Sequence, residues 1–112
     1  MKRVTAYIRP HRLEAVKSAI TVLGISGLTV SDVRGTGNSP EVTDFFGGDD
    51  ALIALPIRAK IEVVVLDDQV KEIVNAVIDA AQTGETGDGK IFIEPVEDAI
   101  RVRTRERSDA AV

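Results

Sequence analysis

The sequence predicts an α+β domain in which two helices cover one face of an antiparallel sheet, in the order β-α-β-β-α-β with one short strand more. Three observations carry that prediction. Residues 2–9 and 57–66 alternate apolar and polar side chains with period two, as half-buried strands do. Residues 10–24 and 67–82 repeat apolar side chains at helical spacing. Strand and helix then alternate so that two strand-helix-strand units interleave, the split βαβ pattern.

Each element has its own signal. In the first strand Val4, Ala6 and Ile8 share one face, and Arg3, Thr5 and Tyr7 the other. Pro10 suits a first helical turn; Leu13, Val16, Ile20 and Leu23 then form a stripe, and Gly24 supplies a stop. Residues 27–34, GLTVSDVR, read as the second strand. In the third, residues 57–66, Ala59, Ile61, Val63 and Val65 share a face. Asp67 and Asp68 suit the start of the second helix, whose stripe of Val70, Ile73, Val74, Val77, Ile78 and Ala81 ends before Gly84. Residues 90–94, KIFIE, and 99–104, AIRVRT, read as two short strands, and residues from about 104 to 112 as a polar, mobile tail.

The sheet face away from the helices is expected to carry Val33, Val64 and Ile91 among Thr5, Tyr7, Thr29, Glu62 and Lys90. Half apolar and half polar, it suits burial against other subunits, so a closed homo-oligomer is expected; a monomer with a tolerably polar face is the alternative.

Composition narrows the function. The chain has 112 residues, 44% hydrophobic and 29% charged, the profile of one folded domain, here residues 1–112. Aromatics are only 4%, so Val, Ile, Leu and Ala must build the core. Without cysteine there are no disulfides and no thiolate metal sites. A net charge of −4 argues against nucleic-acid binding. No apolar run approaches a membrane span, and MKRVTAYIRPHR is too polar for a signal peptide, so cytoplasmic residence is expected.

Between the second and third strands lies GTGNSPEVTDFFGGDDALIALP, residues 35–56, with no helical or strand period. So long a loop in so small a domain is usually functional or disordered. Its Phe45, Phe46, Leu52, Ile53, Ala54 and Leu55 suit a partner-docking segment; alternatively ALIAL simply leads into the third strand.

Chemistry is sparse. In TGETGDGK, residues 83–90, three glycines allow backbone N–H groups to turn toward phosphate oxygens beside Lys90, although a helix stop and turn explains them as well. The spacing is not that of a P-loop. Arg101 and Arg103, two apart on an expected strand, would share a face and could grip one polyphosphate, or simply protect an edge. Gly35 and Gly37 offer a second close backbone approach or a plain turn. His11 reads as an exposed residue at a helix start, and Asp44, Asp49 and Asp50 as solvated loop carboxylates. No nucleophile and base pair can be assembled. Residues alone therefore point to a ligand-binding oligomer with a plausible anion site.

Four stretches, GLTVSDVRGTG (27–37), KIEVVVLDD (60–68), AQTGETGDGKIF (81–92) and IRVRTRERSDAA (100–111), resemble the PII family of trimeric signal-transduction proteins, and the similarity runs the length of the chain. The resemblance implies a ferredoxin-like homotrimer with nucleotide sites in the clefts between subunits, where ATP and ADP compete and Mg²⁺ is the companion ion allowed. It implies nucleotide contacts from Gly35, Gly37, Asn38, Gly87, Asp88, Gly89, Lys90, Arg101 and Arg103, with Thr29, Glu62 and Val64 flanking the adenine. Residues 36–56 would be the T-loop that meets a regulated target, a transporter or enzyme, in nitrogen metabolism.

The T-loop departs from the family pattern. Ala51 stands where bacterial members carry a uridylylated tyrosine, Asp49 where cyanobacterial members carry a phosphorylated serine, and Gly47 where ammonium-channel regulators place an arginine. Neither covalent modification is chemically available, and blocking of that channel is not expected. Asn38, Ser39, Pro40 and Glu41 replace arginine, glutamine, lysine and glycine, so the carboxylate of 2-oxoglutarate would meet Glu41 at a cost of about one to several kcal/mol. Ser39 and Arg58 remain as effector contacts, Arg58 with a planar fork where the family has lysine. The expectation is a non-enzymatic adenine-nucleotide sensor with 2-oxoglutarate sensing weak, altered or lost. The alternatives are a regulator of a different transporter or enzyme and a nucleotide-independent scaffold; slow ATP hydrolysis lacks a visible water-activating base.

Overall fold

Alternation in the sequence becomes a four-stranded sheet. The computed structural model describes residues 1–25, 27–36 and 55–112. The elements run β1 (Lys2–Ile8), α1 (Leu13–Val22), β2 (Thr29–Arg34), β3 (Ile57–Val65), α2 (Val70–Ala81) and β4 (Gly89–Pro95), with 3-10 turns at Pro10–Arg12, Asp67–Gln69 and Ser108–Ala111. The strand order is β2-β3-β1-β4 and every neighbouring pair is antiparallel. Two helices on one face of such a sheet make the ferredoxin-like arrangement that the sequence predicts.

The core lies between the sheet and the helices. Val4, Ala6 and Ile8 of β1 and Ala59, Ile61, Val63 and Val65 of β3 are buried against Val16 and Ile20 of α1 and Ile73, Val77 and Ala81 of α2. These are the predicted stripes, and each fully buried Val or Ile contributes about 1.5–3 kcal/mol. Asp67 and Asp68 fall in the 3-10 turn before α2, and the bond that closes this turn is not theirs: the Leu66 N–H donates to Gln69 Oε1 at 2.9 Å. Asp67 instead pairs with the α-ammonium of Met1 at 2.9 Å.

Three expectations are corrected. Ile91 pairs with Ala6, so it faces the helices and packs on the core; the residues of β4 on the open face are Lys90, Phe92 and Glu94, opposite Tyr7, Thr5 and Arg3. Residues 99–104 do not form a strand. They find no neighbouring backbone in the sheet and fold back into a turn, closed by an isolated bridge between Ile100 and Arg107. Arg101 and Arg103 therefore do not share a strand face. Nor is the segment after 104 a free tail: Arg105 and Ser108 take positive φ, 64° and 55°, and the Ser108 N–H donates to the Ala99 carbonyl at 3.0 Å.

The open sheet face carries a shallow groove of about 520 Å³ between Arg3, Tyr7, Glu62 and Phe92. Glu62 organises it, pairing with Lys60 at 2.9 Å and Arg3 at 3.8 Å. The ammonium of Lys60 lies 5.9 Å from the Tyr7 ring centroid, and Tyr7 meets Phe92 edge-on at 6.0 Å. No helix among the described residues is long and apolar enough to cross a membrane.

Candidate functional site

The end of β1 sets the position of the site. Ile8 pairs with Gly89 and Tyr7 with Lys90, which lays the loop 83–88 beside the point where β1 gives way to Pro10. Only glycine fits at 89: its φ is +123°, and a Cβ there would sit 1.8 Å from the Tyr7 carbonyl oxygen. The close approach keeps β4 flush against β1 and presents Lys90 beside the loop.

Asp88 shapes that loop. Its carboxylate accepts the Thr83 N–H at 2.8 Å, the Gly84 N–H at 2.9 Å, the Thr83 hydroxyl, and Arg9 Nε at 3.3 Å. These bonds, the Thr83 hydroxyl foremost, hold the Asp88 carboxyl well below the ordinary carboxylate range. A second bond from Arg9, Nη2 to the Thr86 carbonyl at 2.6 Å, ties the far side of the turn. Asp88 thus spends its acceptors mainly on the loop itself, with one bond to Arg9.

Facing this loop is the start of the long connection after β2. The Gly35 N–H donates to the Pro56 carbonyl at 3.1 Å, which draws the two ends of residues 35–56 together. Between the two loops lies a cleft of about 740 Å³. One wall is Glu85 to Lys90; the other is Val33 to Thr36 with Arg58; Tyr7 and Phe92 form part of the floor. Three cations, Arg34, Arg58 and Lys90, line it with two carboxylates, Glu85 and the already engaged Asp88. Backbone and cations so arranged suit an anion of phosphate size.

The structure brings together one part of the expected site. Gly35, Arg58, Gly87, Asp88, Gly89 and Lys90 all line the cleft. Thr29 and Glu62 are register partners on the open sheet face, and Val64 lies on that face opposite Arg3, away from this cleft and beside the shallower groove. Arg101 and Arg103 do not line the cleft of their own chain. They sit on the C-terminal turn, where the Arg101 N–H donates to the Glu106 carbonyl and the Arg105 N–H to the Arg101 carbonyl, both at 2.8 Å. Asp98 fixes the base of this turn, accepting from the Ala99 N–H at 2.9 Å, the Ser108 N–H at 3.1 Å and Arg107 Nη2 at 2.9 Å. Gly37, Asn38 and Ser39 lie outside the described residues, as do Asp44, Asp49, Asp50 and the apolar docking positions from Phe45 to Ala54.

Several contributors went unmarked in the sequence. Arg9 acts through bonds between segments far apart in the chain, Thr83 through a bond to Asp88 within its own turn, and Tyr7 and Phe92 reach the cleft only through strand register. The one available signal was that Tyr7 and Arg9 flank the junction of a strand and Pro10.

Comparison with known proteins identifies the family. The family model "Nitrogen regulatory protein P-II" matches residues 1–106. A nitrogen regulatory protein P-II of Nostoc punctiforme is 48% identical over 112 residues, covering all of both chains. One from Synechocystis is 45% identical over the same full span. The chain is also similar to a solved structure, the crystal structure of Arabidopsis thaliana PII bound to citrate, with a TM-score of 0.82 and 44% identity over 99% of this chain and 91% of that one.

Proposed function

Because the chain belongs to the P-II family of nitrogen regulatory proteins, we propose that it is a non-enzymatic sensor of ATP and ADP, acting in the cytoplasm on a target protein through residues 36–56. The observation that carries this reading is the cleft itself: the glycine-rich turn Gly87–Lys90, braced by Asp88, faces Gly35 and Thr36 across a space lined by three cationic side chains. Polyphosphate would occupy that space, held by backbone donors and Lys90.

Completion of the site requires a second copy of the chain. Arg101 and Arg103 lie off their own cleft, on a braced turn that exposes Val102 almost fully and Ile100 by half. In a ring of three, that turn would reach a neighbour's cleft and supply the remaining phosphate contacts, and the open sheet faces with Thr29, Glu62 and Val64 would meet near the adenine. Nucleotide binding and assembly would then be coupled. ATP and ADP would regulate by stabilising different states of residues 36–56, since a ligand shifts an equilibrium only through unequal affinity for its states.

Arg58 lies in the cleft, where the resemblance puts a carboxylate contact, while Glu41 and Ser39 work against 2-oxoglutarate. The reading is therefore nucleotide sensing with a weakened or lost 2-oxoglutarate response. Titration calorimetry with ATP, ADP and AMP, each with and without Mg²⁺ and 2-oxoglutarate, tests it. Saturable binding of ATP and ADP with little change on adding 2-oxoglutarate is expected. Absence of heat with every nucleotide leaves a scaffold, and steady release of ADP from ATP establishes an enzyme; either overturns the reading.

A further inference from the structure

We propose that Arg9 is a positioning residue that locks the Thr86–Gly87 peptide so that the Gly87 N–H faces a bound phosphate; the proposal rests on the nucleotide assignment above. Arg9 comes directly after β1, beyond the Ile8–Gly89 pair, and its side chain is 19% exposed. It does not line the cleft. Its Nη2 donates to the Thr86 carbonyl at 2.6 Å and its Nε to Asp88 Oδ1 at 3.3 Å, so the guanidinium spans Gly87 from behind.

A trans peptide is planar, and its C=O and N–H point in opposite directions. With the Thr86 carbonyl held toward Arg9, the Gly87 N–H must turn to the opposite side. Gly87 lines the cleft while Arg9 does not, so that side is the one an anion would occupy. Residue 87 cannot hold this orientation unaided. Its φ is +98°, and glycine takes either sign of φ at similar cost, so the peptide is free to rotate once its carbonyl is released. A rotated peptide would place a carbonyl oxygen where the donor stood, and a phosphate would meet negative partial charge.

The same guanidinium steadies the rest of the loop. Asp88, which fixes the Thr83 and Gly84 N–H groups, is itself tied to Arg9. A lysine at position 9 offers a point charge, not a fork, and can satisfy the carbonyl or the carboxylate but not both in this geometry.

The test uses the full-length protein and compares the parent with Arg9→Ala and Arg9→Lys, titrated with ATP, ADP and adenosine. R9A is expected to weaken ATP and ADP by about ten- to a hundredfold, the worth of a charge-assisted hydrogen bond, while adenosine affinity stays unchanged. R9K is expected to recover part of the loss. In ¹⁵N spectra the Gly87 amide should shift strongly on ADP addition in the parent and not in R9A. R9A binding ADP as the parent does overturns the proposal, and so does an equal loss for adenosine and ADP, which marks a general loosening of the fold. Should R9A fail to fold, R9K decides: parental ADP affinity overturns the proposal, and a loss confined to ATP and ADP supports it. A parent that binds no nucleotide removes the nucleotide assignment and the proposal together, whereas a parent that binds beside an unaffected R9A removes the Arg9 proposal alone.

Discussion

Gly89→Ala is the most informative single substitution for the scaffold under the site. An added Cβ would lie 1.8 Å from the Tyr7 carbonyl oxygen, 2.9 Å from its carbon and 3.3 Å from Ile8 Cα, all of them backbone atoms that no rotamer can move aside. Because real Cβ contacts do not fall below about 3.0 Å, β4 must retreat by about 1.2 Å at its first residue, where Ile8 and Gly89 pair. The φ of +123° adds strain of about 1–3 kcal/mol. Weakened ladder bonds add about 1 kcal/mol each, giving a loss of about 2–5 kcal/mol. Gly84→Ala is the control: φ is +89°, but nothing lies within 4 Å, so the cost is about 1–2 kcal/mol from the backbone alone. Urea unfolding at one fixed protein concentration measures both, since assembly would otherwise shift the apparent stability. The midpoint of G89A should fall about 1 M or more below that of G84A. Equal midpoints would refute the close-approach argument and, with it, the claim that residue 89 sets the position of Lys90.

Further outcomes follow from the same contacts. Asp88 has a folded pKa below its unfolded value, so its stabilising contribution is present above about pH 4 and is lost as pH falls toward the folded value. Asp88→Asn should therefore melt below the parent at pH 7, with the gap closing progressively under pH 4; a gap that stays constant with pH contradicts this. Asp98→Ala should speed amide exchange at Ser108 and across the turn 99–108 at least about tenfold while leaving β1 and β3 untouched, because Asp98 is the anchor of that turn. Ile73→Ala, which empties a site in the core between α2 and the sheet, should cost about 2–5 kcal/mol in the same urea assay, and a cost under about 1 kcal/mol would show the core to be misplaced.

The sequence revealed those elements whose partners lie along the same chain. β1, β3 and α2 bury faces that their own periodicity announces, from Val4, Ala6 and Ile8 to Ile73, Val77 and Ala81. Residues 99–104 alternate as well, yet strand geometry needs a second backbone to bond to, and among the described residues only the isolated Ile100–Arg107 bridge offers one; the segment turns back on Asp98 instead. Ile91 faces the core, against expectation, because face parity in β4 depends on its register with β1, which begins at Gly89. Half of the site was legible as glycines and a lysine in one short stretch. The other half was not: the bond from Arg9 to Asp88 joins residues 79 positions apart, and nothing in either local pattern marks it.

Mixed assemblies decide the central proposal, that Lys90 of one protomer and Arg103 of another grip the same polyphosphate. Lys90→Ala and Arg103→Ala chains, each expected to lose ADP binding alone, are co-expressed in equal amounts, and ADP bound at equilibrium is counted. Sites built between chains predict recovery at roughly a quarter of the clefts, the chance that an intact Lys90 loop meets an intact Arg103 turn from its neighbour. Mixed assemblies that bind no more ADP than the separate variants would contradict the account.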